Sequence, residues 1–567
     1  MQESSSNHNP KFTTTSEGYP HEIYRDVLEE AVIEDFLRDS DAFDHKEKMW
    51  AFPQPLAATE SVVVAVCRIA RSIIKRFVVP TRSGVRRTVV NMIKAGGNEA
   101  VGEYGYRPCP VVVIQASGPS FEDPPPTSQE AATTSQQRQI SFSNMASYFT
   151  VKLDSEVGTP RDILEEMKPY AKKIFADQPN RLYVRSLLLT EKHARLLHFD
   201  RAGAQITPSI DIQQHPSTFV RLIAGVASMD ERLLGLDDSI QWTIIEGRKT
   251  AGVLTTTGAN GKAKAYPILA HIPNPLESIR GRGTTCWRVR DPDTLEELVV
   301  KDSWRPQDRP AEQEFLKLAT GVPGVAQMVS FQNGRGETKH YRCPTTAGQY
   351  HNRVAMRVTM KSYGRSVEFF SSVVELLEAI RDAIAGHQRL VSSEGIKVLH
   401  RDISHNNILL GPAGAREGNR GILIDFDMSF RATDEKPRVD ADANVGTRTF
   451  QSLSVVGSFS PRDIPTPHDY LDDLESFFLV LVYILLTRRA DGTTLPSRAE
   501  GPSIVGKWDN PDPNIAYGKK DGILGGSADD IDAVRIIKAN WGPAFVSLYK
   551  RFQAWVCDVS RKKAGSD

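Results

Sequence analysis

VLHRDISHNNILL, residues Val398 to Leu410, sets a run of polar side chains between two apolar ends. His400, Arg401, Asp402 and Asn407 fit the pattern H-R-D-x-x-x-x-N. The spacing has a chemical meaning. Asp402 is suited to accept a hydrogen bond from a substrate hydroxyl, and Asn407, five residues on, to turn back toward a cation. A second stretch, LIDFDMSF (Leu423 to Phe430), reads by itself as an amphipathic strand. Leu423, Asp425 and Asp427 share one face, and Ile424, Phe426 and Met428 share the other. Its position changes that reading. Ile408 to Leu410, the polar turn GPAGAREGNR and GILIDF predict a hairpin that brings Asp425 back beside Asn407. One Asp and one Asn suit Mg²⁺, which takes few protein oxygens alongside phosphate oxygens.

Working outward, Val373, Leu376, Leu377, Ile380, Ile384, His387 and Val391 recur at helical spacing and predict a long helix supporting the loop. His387 in it reads as a core or rim residue. Upstream, LEELVVKDSW offers Lys301 at the end of a strand, and Asp291-Pro292-Asp293 predicts the turn pairing that strand with TTCWRVR. Lys301 offers a positive charge suited to phosphate oxygens. The helix AEQEFLKLA carries its acidic partner, with Glu312 preferred and Glu314 the runner-up. GRGTTCWRV places Gly281 and Gly283 where backbone N–H groups can approach phosphate oxygens; a third glycine of G-x-G-x-x-G is replaced by Cys286.

Downstream, MSFRATDEKPRVDADANVGTRTF leads to Gly446, Thr447 and Phe450. Arg401 is placed to pair with a phosphate or carboxylate on this segment, and Thr433, Thr447 and Thr449 are its candidate hydroxyls for modification. HDYLDDLESFFLVLVYILL puts Asp473 at the start of an apolar helix, able to accept hydrogen bonds from the backbone of the Asp402 loop. The run Phe477 to Leu486 is ten residues, whereas a bilayer core about 30 Å thick needs roughly 20, so a helix buried inside a domain is expected.

Seventy basic and seventy acidic side chains cancel, so bulk charge points to neither nucleic acid nor an anionic membrane. The five cysteines (Cys67, Cys109, Cys286, Cys343, Cys557) are scattered without a CxxC, which suits a reducing intracellular compartment, cytoplasmic or nuclear, and no structural zinc. Composition shifts divide the chain into a disordered tail (1–20), a mostly helical region (21–116), a Pro/Ser/Thr/Gln-rich linker (117–139), an α+β region (140–275), and a domain from 276 to about 560.

With Lys301, Asp402, Asn407, Asp425 and Asp473 in order, residues from about Leu276 to Leu486 resemble the protein-kinase fold. GRGTTCW, VVKDSW, HRDISHNN, ILIDFDMS, GTRTFQSL and DDLESFFLVLVYI resemble more closely the fungal-type protein kinases. The upstream stretches LLHFDRAGAQITPSIDI and LLGLDDSIQW extend that resemblance to about Leu182, and DDLES also resembles casein kinase I. The resemblance implies a bilobal α+β fold, with a small β-rich lobe (about 276–362) and a large helical lobe (about 363–560) around ATP and Mg²⁺. It implies γ-phosphoryl transfer to a Ser or Thr hydroxyl of a protein substrate. Lys301 would neutralise the α/β-phosphates with Glu312 orienting it, Gly281 and Gly283 would cover the phosphates, and Asp425 and Asn407 would hold Mg²⁺. Asp402 would take the hydroxyl proton. Separately, the position of the N-terminal region before the small lobe suits an autoinhibitory role or the docking of a regulatory partner.

Three positions depart from the wider kinase pattern. Asp427 replaces the glycine of D-F-G, Ser404 stands where Ser/Thr kinases carry lysine, and Ser452-Leu453-Ser454 replaces A-P-E. A catalytically silent scaffold of the same fold is one alternative. A small-molecule phosphotransferase of the aminoglycoside or choline type is another, although those usually carry H-G-D rather than Arg401.

Overall fold

The computed structural model describes residues 12–53, 58–80, 84–93, 111–123, 139–273, 278–344, 350–433, 435–442, 444–459, 467–496 and 504–565. Most of the expected linker, and Cys109, lie outside these. The described residues fall into two compact units, Met1–Arg309 with Ser330–Val358 and Pro310–Val329 with Thr359–Asp567. Helices and sheets are both present, an α+β protein.

The first unit begins with a mixed sheet. Its strands are β1 (Phe12–Thr14), β2 (Arg86–Asn91), β3 (Val112–Ser117), β4 (Met145–Val151), β5 (Tyr183–Leu189), β6 (His193–Asp200), β7 (Gly203–Ile206) and β8 (Ile210–Asp211). Their order is β1-β7-β6-β5-β4-β3-β2, with β8 beside β6. The expected disordered tail is therefore corrected from residue 12 onward, since Phe12, Thr13 and Thr14 pair in parallel with Ala204, Gln205 and Ile206. The region expected to be mostly helical contains α1 (Glu30–Asp39) and α2 (Thr59–Phe77) but also β2 and β3. Val112, Ile114 and Ala116 pack into one core and Val113 into another. A strand buried on both faces is a continuous apolar run, and periodicity alone does not separate it from a buried helix. The helices α2 and α4 (Pro216–Val226) supply residues to the first core, while α3 (Pro160–Asp177) supplies Ile163, Met167 and Ile174 to the second.

A second sheet in this unit comprises β9 (Ile240–Ile245), β10 (Arg248–Thr257), β11 (Ala263–Ile272), β12 (Thr285–Arg290), β13 (Glu297–Pro306), β14 (Met328–Gln332) and β15 (Arg353–Lys361), in the order β9-β10-β11-β12-β13-β15-β14. The β12–β13 hairpin forms as its sequence predicts: Asp291 accepts from the N–H groups of Asp293 and Thr294 at 2.8 and 3.2 Å, an Asx turn. Buried ion pairs brace this unit. Arg342 grips Asp200 through two bonds of 2.7 and 2.6 Å, and Arg357 bridges Asp302 to Asp237.

The second unit is mainly helical: α5 (Glu312–Leu318), α6 (Val373–Ser392), α7 (Leu453–Gly457), α8 (Tyr470–Thr487), α9 (Pro513–Leu524), α10 (Ala528–Trp541) and α11 (Pro543–Gly565). The apolar run becomes α8, whose residues Phe477 to Val482 are all buried at the centre of the core. The predicted long helix is α6, and the predicted hairpin is β16 (Ile408–Leu410) with β17 (Gly421–Leu423), in the register Ile408↔Leu423. No helix among the described residues is long and apolar enough to cross a membrane.

Candidate active site

Asp473 organises the loop that carries Asp402. At the N-terminal turn of α8 its two oxygens accept the N–H groups of His400 and Arg401, each at 2.9 Å, and His387 Nε2 lies 2.8 Å away. Burial alone would raise this carboxyl; the His387 contact and charge instead hold it well below the usual carboxylate range. The sequence expectations for Asp473 and His387 both hold locally: one receives the loop backbone and the other is a core residue. His400 adds a second strut. Its Nε2 donates to Ile424 O at 2.9 Å, its Nδ1 accepts from Asp402 N at 3.3 Å, and its ring meets Phe426 edge-on at 5.0 Å. One imidazole thereby ties the Asp402 loop to the Asp425 stretch.

Asp425 is not on an amphipathic strand. β17 ends at Leu423, and Asp425 adopts a left-handed backbone with φ +67°. Arg401, half-buried, is left-handed as well at φ +66°. Such conformations cost on the order of 1–3 kcal/mol each and persist where surrounding contacts over-determine them. Around Arg401 those contacts are the Asp473 bonds, and next to Asp425 Phe426 N donates to Glu312 Oε1 at 3.0 Å.

Glu312, Asp425 and Asp427 bring three carboxylate oxygens within 4.8 Å of one another. A hard divalent cation suits such an oxygen set. Asn407 donates through Nδ2 to Asp402 O at 2.8 Å, a bond that leaves its side-chain oxygen as the atom suited to a cation. Asp427 was legible in the sequence only as a departure from D-F-G; its carboxylate joins this group.

Asp402 is 5% exposed, and its Oδ1 accepts both the N–H and the hydroxyl of Thr447, each at 2.8 Å. Gly446 permits this approach: at φ +87° it lies so close that a Cβ would come 2.6 Å from Arg401 O. Of the three candidate threonines, Thr447 is thus turned onto a carboxylate, where an added phosphate would meet like charge.

In the first unit, Lys301 is 5% exposed on β13 and pairs with Cys286 at the start of β12, the end where the glycine loop enters. The loop is tied from below. Gly281 N donates to Arg201 O at 3.1 Å, and a Cβ on Gly283 would lie 2.3 Å from Arg201 Nε. The expectation that both glycine N–H groups are open to phosphate is corrected for Gly281, whose N–H is engaged by the β6–β7 turn.

A family model described as fungal protein kinase matches residues 127–342 and 332–485. No match was found among curated proteins. The matched stretches run through the Lys301 strand, the Asp402 loop, the Asp425 stretch and Asp473, and together cover more than half of the 567 residues. The chain belongs to the fungal protein kinase family.

Proposed function

We propose that the chain is an ATP-dependent protein kinase that transfers the γ-phosphoryl group of Mg-ATP to a Ser or Thr hydroxyl of a protein substrate. The observation that carries this reading is the tie between two stretches: His400 joins the loop of Asp402 and Asn407 to the stretch bearing Asp425. In this mechanism Asp402 orients the attacking hydroxyl and takes its proton as the new P–O bond forms and the bond to the β,γ-bridging oxygen breaks. Lys301, oriented by Glu312, neutralises the α/β-phosphates, and the loop of Gly281 and Gly283 covers them. Asn407 and Asp425 hold the cation, which when bound offsets phosphate charge. Arg401 positions the segment that follows Phe426. Positioning and charge neutralisation supply most of the catalysis in this chemistry.

The bilobal arrangement, with ATP between a β-rich and a helical lobe, belongs to the same proposal, as do a regulatory partner docking on the N-terminal region and an intracellular setting. The test has two arms: thermal stabilisation by Mg-ATP, then phosphate incorporation into a mixed protein substrate from γ-labelled ATP. Binding with transfer that Asp402→Asn abolishes is the expected result. Binding without transfer selects the scaffold, and transfer that survives Asp402→Asn removes the residue assignment.

A further inference from the structure

The absent A-P-E glutamate raises a physical question: what holds the segment that presses Thr447 onto Asp402? Two buried side chains from elsewhere in the second unit grip it. Lys520, on α9 and wholly buried, donates through Nζ to Arg448 O and, at 2.8 Å, to Gln451 O. Glu475, on α8, accepts from Leu453 N at 2.7 Å, and Ser560 of α11 donates to its other oxygen at 3.2 Å. Between these grips Ser452 donates to Asp472 at 2.7 Å, and Phe450 packs edge-on against His405 and Tyr483.

We propose that Lys520 and Glu475 are positioning residues for phosphoryl transfer, replacing the missing acidic anchor by clamping residues 448–453 so that Thr447 stays on Asp402. The clamp reads the segment's backbone. Lys520 takes two carbonyls and Glu475 one amide, so it does not depend on which side chains the segment carries. A lysine placed among Ala516, Ile523 and Leu524 is costly to bury unless its donors are used. Burial brings its ammonium down to about 7 and the Glu475 carboxyl up to about 7, and their mutual attraction opposes both shifts. A buried amine whose donors go to the carbonyls of Arg448 and Gln451 fixes the geometry of this segment.

This inference rests on the reading of Asp402 as the proton acceptor, and its test separates the two. Hydrogen exchange on the full chain is measured at residues 446–456 for wild type, Lys520→Met and Glu475→Gln. Lys520→Met removes the donor and keeps the stem; exchange at 448–453 is expected to quicken about tenfold while α6 and α8 keep wild-type protection. Glu475→Gln retains an acceptor for Leu453 N and is expected to shift the same amides by less than about threefold. In the phosphotransfer assay Lys520→Met is expected to lower kcat about tenfold or more with KM for Mg-ATP unchanged. Unchanged exchange in folded Lys520→Met overturns the proposal, as does loss of protection spread evenly through α8. If Lys520→Met does not fold, Lys520→Gln, a shorter neutral donor, takes its place: an intermediate gain in exchange supports the clamp and no gain refutes it. Because exchange needs no turnover, a wild-type protein without phosphotransferase activity would sink the kinase reading and leave the clamp to be judged by its amides.

Discussion

Thr447 donates twice to one oxygen of Asp402, from its N–H and its hydroxyl, each at 2.8 Å. The carboxylate assigned to accept a substrate proton is thereby held in one orientation by a residue 45 positions away. A hydrogen bond to a charged group contributes about 1.5–3 kcal/mol. Thr447→Ala removes one of the two, so kcat/KM for protein substrate is expected to fall about 10- to 100-fold. Thr447→Ser should restore most of it. Steady-state kinetics with both variants checks this, with Mg-ATP binding expected to stay at the wild-type level.

Asp473 links pH to stability. Its folded carboxyl is held well below the unfolded value near 4, so the charged form is favoured by folding. That contribution is fully present above the unfolded value and is lost as pH falls toward the folded one. Asp473→Ala is expected to destabilise the protein by about 3 kcal/mol at neutral pH, because the N–H groups of His400 and Arg401 lose their acceptor. Denaturant melts from pH 7 down to 3 should show the difference between variant and wild type narrowing below about pH 4.

The carboxylates of Glu312, Asp425 and Asp427 predict a divalent-ion dependence of nucleotide binding. Mg-ATP at about 100 times its Kd should stabilise the wild-type protein by about 2.7 kcal/mol, and chelation should abolish the effect. Asp425→Asn is expected to remove most of the stabilisation. Asp427→Asn should weaken Mg²⁺ binding about tenfold, a milder loss. Thermal melts across a Mg²⁺ titration distinguish the two.

The Arg342–Asp200 pair joins the N-terminal sheet to the chain after β14 within the first unit. Asp200 is fully buried, so Arg342→Met strands a carboxylate away from water. A loss of about 3–5 kcal/mol is expected. Deleting residues 1–180 strips β1 to β4 with α1 to α3 from the sheet and is expected to leave an insoluble chain rather than an activated one. Soluble expression and near-UV circular dichroism check both.

The elements around the Asp402 loop were legible because each rests on local physics. The hairpin Ile408 to Leu423 has its own turn, α6 its own period, α8 a continuous apolar run, and Asp291 makes its own Asx turn. Strand β3 was not legible, because partners on both faces hide the alternation that identifies a strand; β2 does alternate in burial, but its buried face carries the polar Arg87 and Asn91, so the alternation does not show as hydropathy. The left-handed backbone at Asp425 was hidden for a related reason: the contacts that enforce it come from Glu312 and His400, more than twenty residues away in each case.

Residue types and spacing therefore determined which side chains are available for chemistry: Lys301, Asp402, Asn407, Asp425 and the supporting Asp473. Tertiary structure alone decided how several of them are held, since Thr447 on Asp402, Asp427 beside Glu312, and Lys520 with Glu475 on the 448–453 backbone join positions with no common period. Hydrogen bonds and charges act over a few ångströms, and only folding brings groups so far apart in sequence within that range.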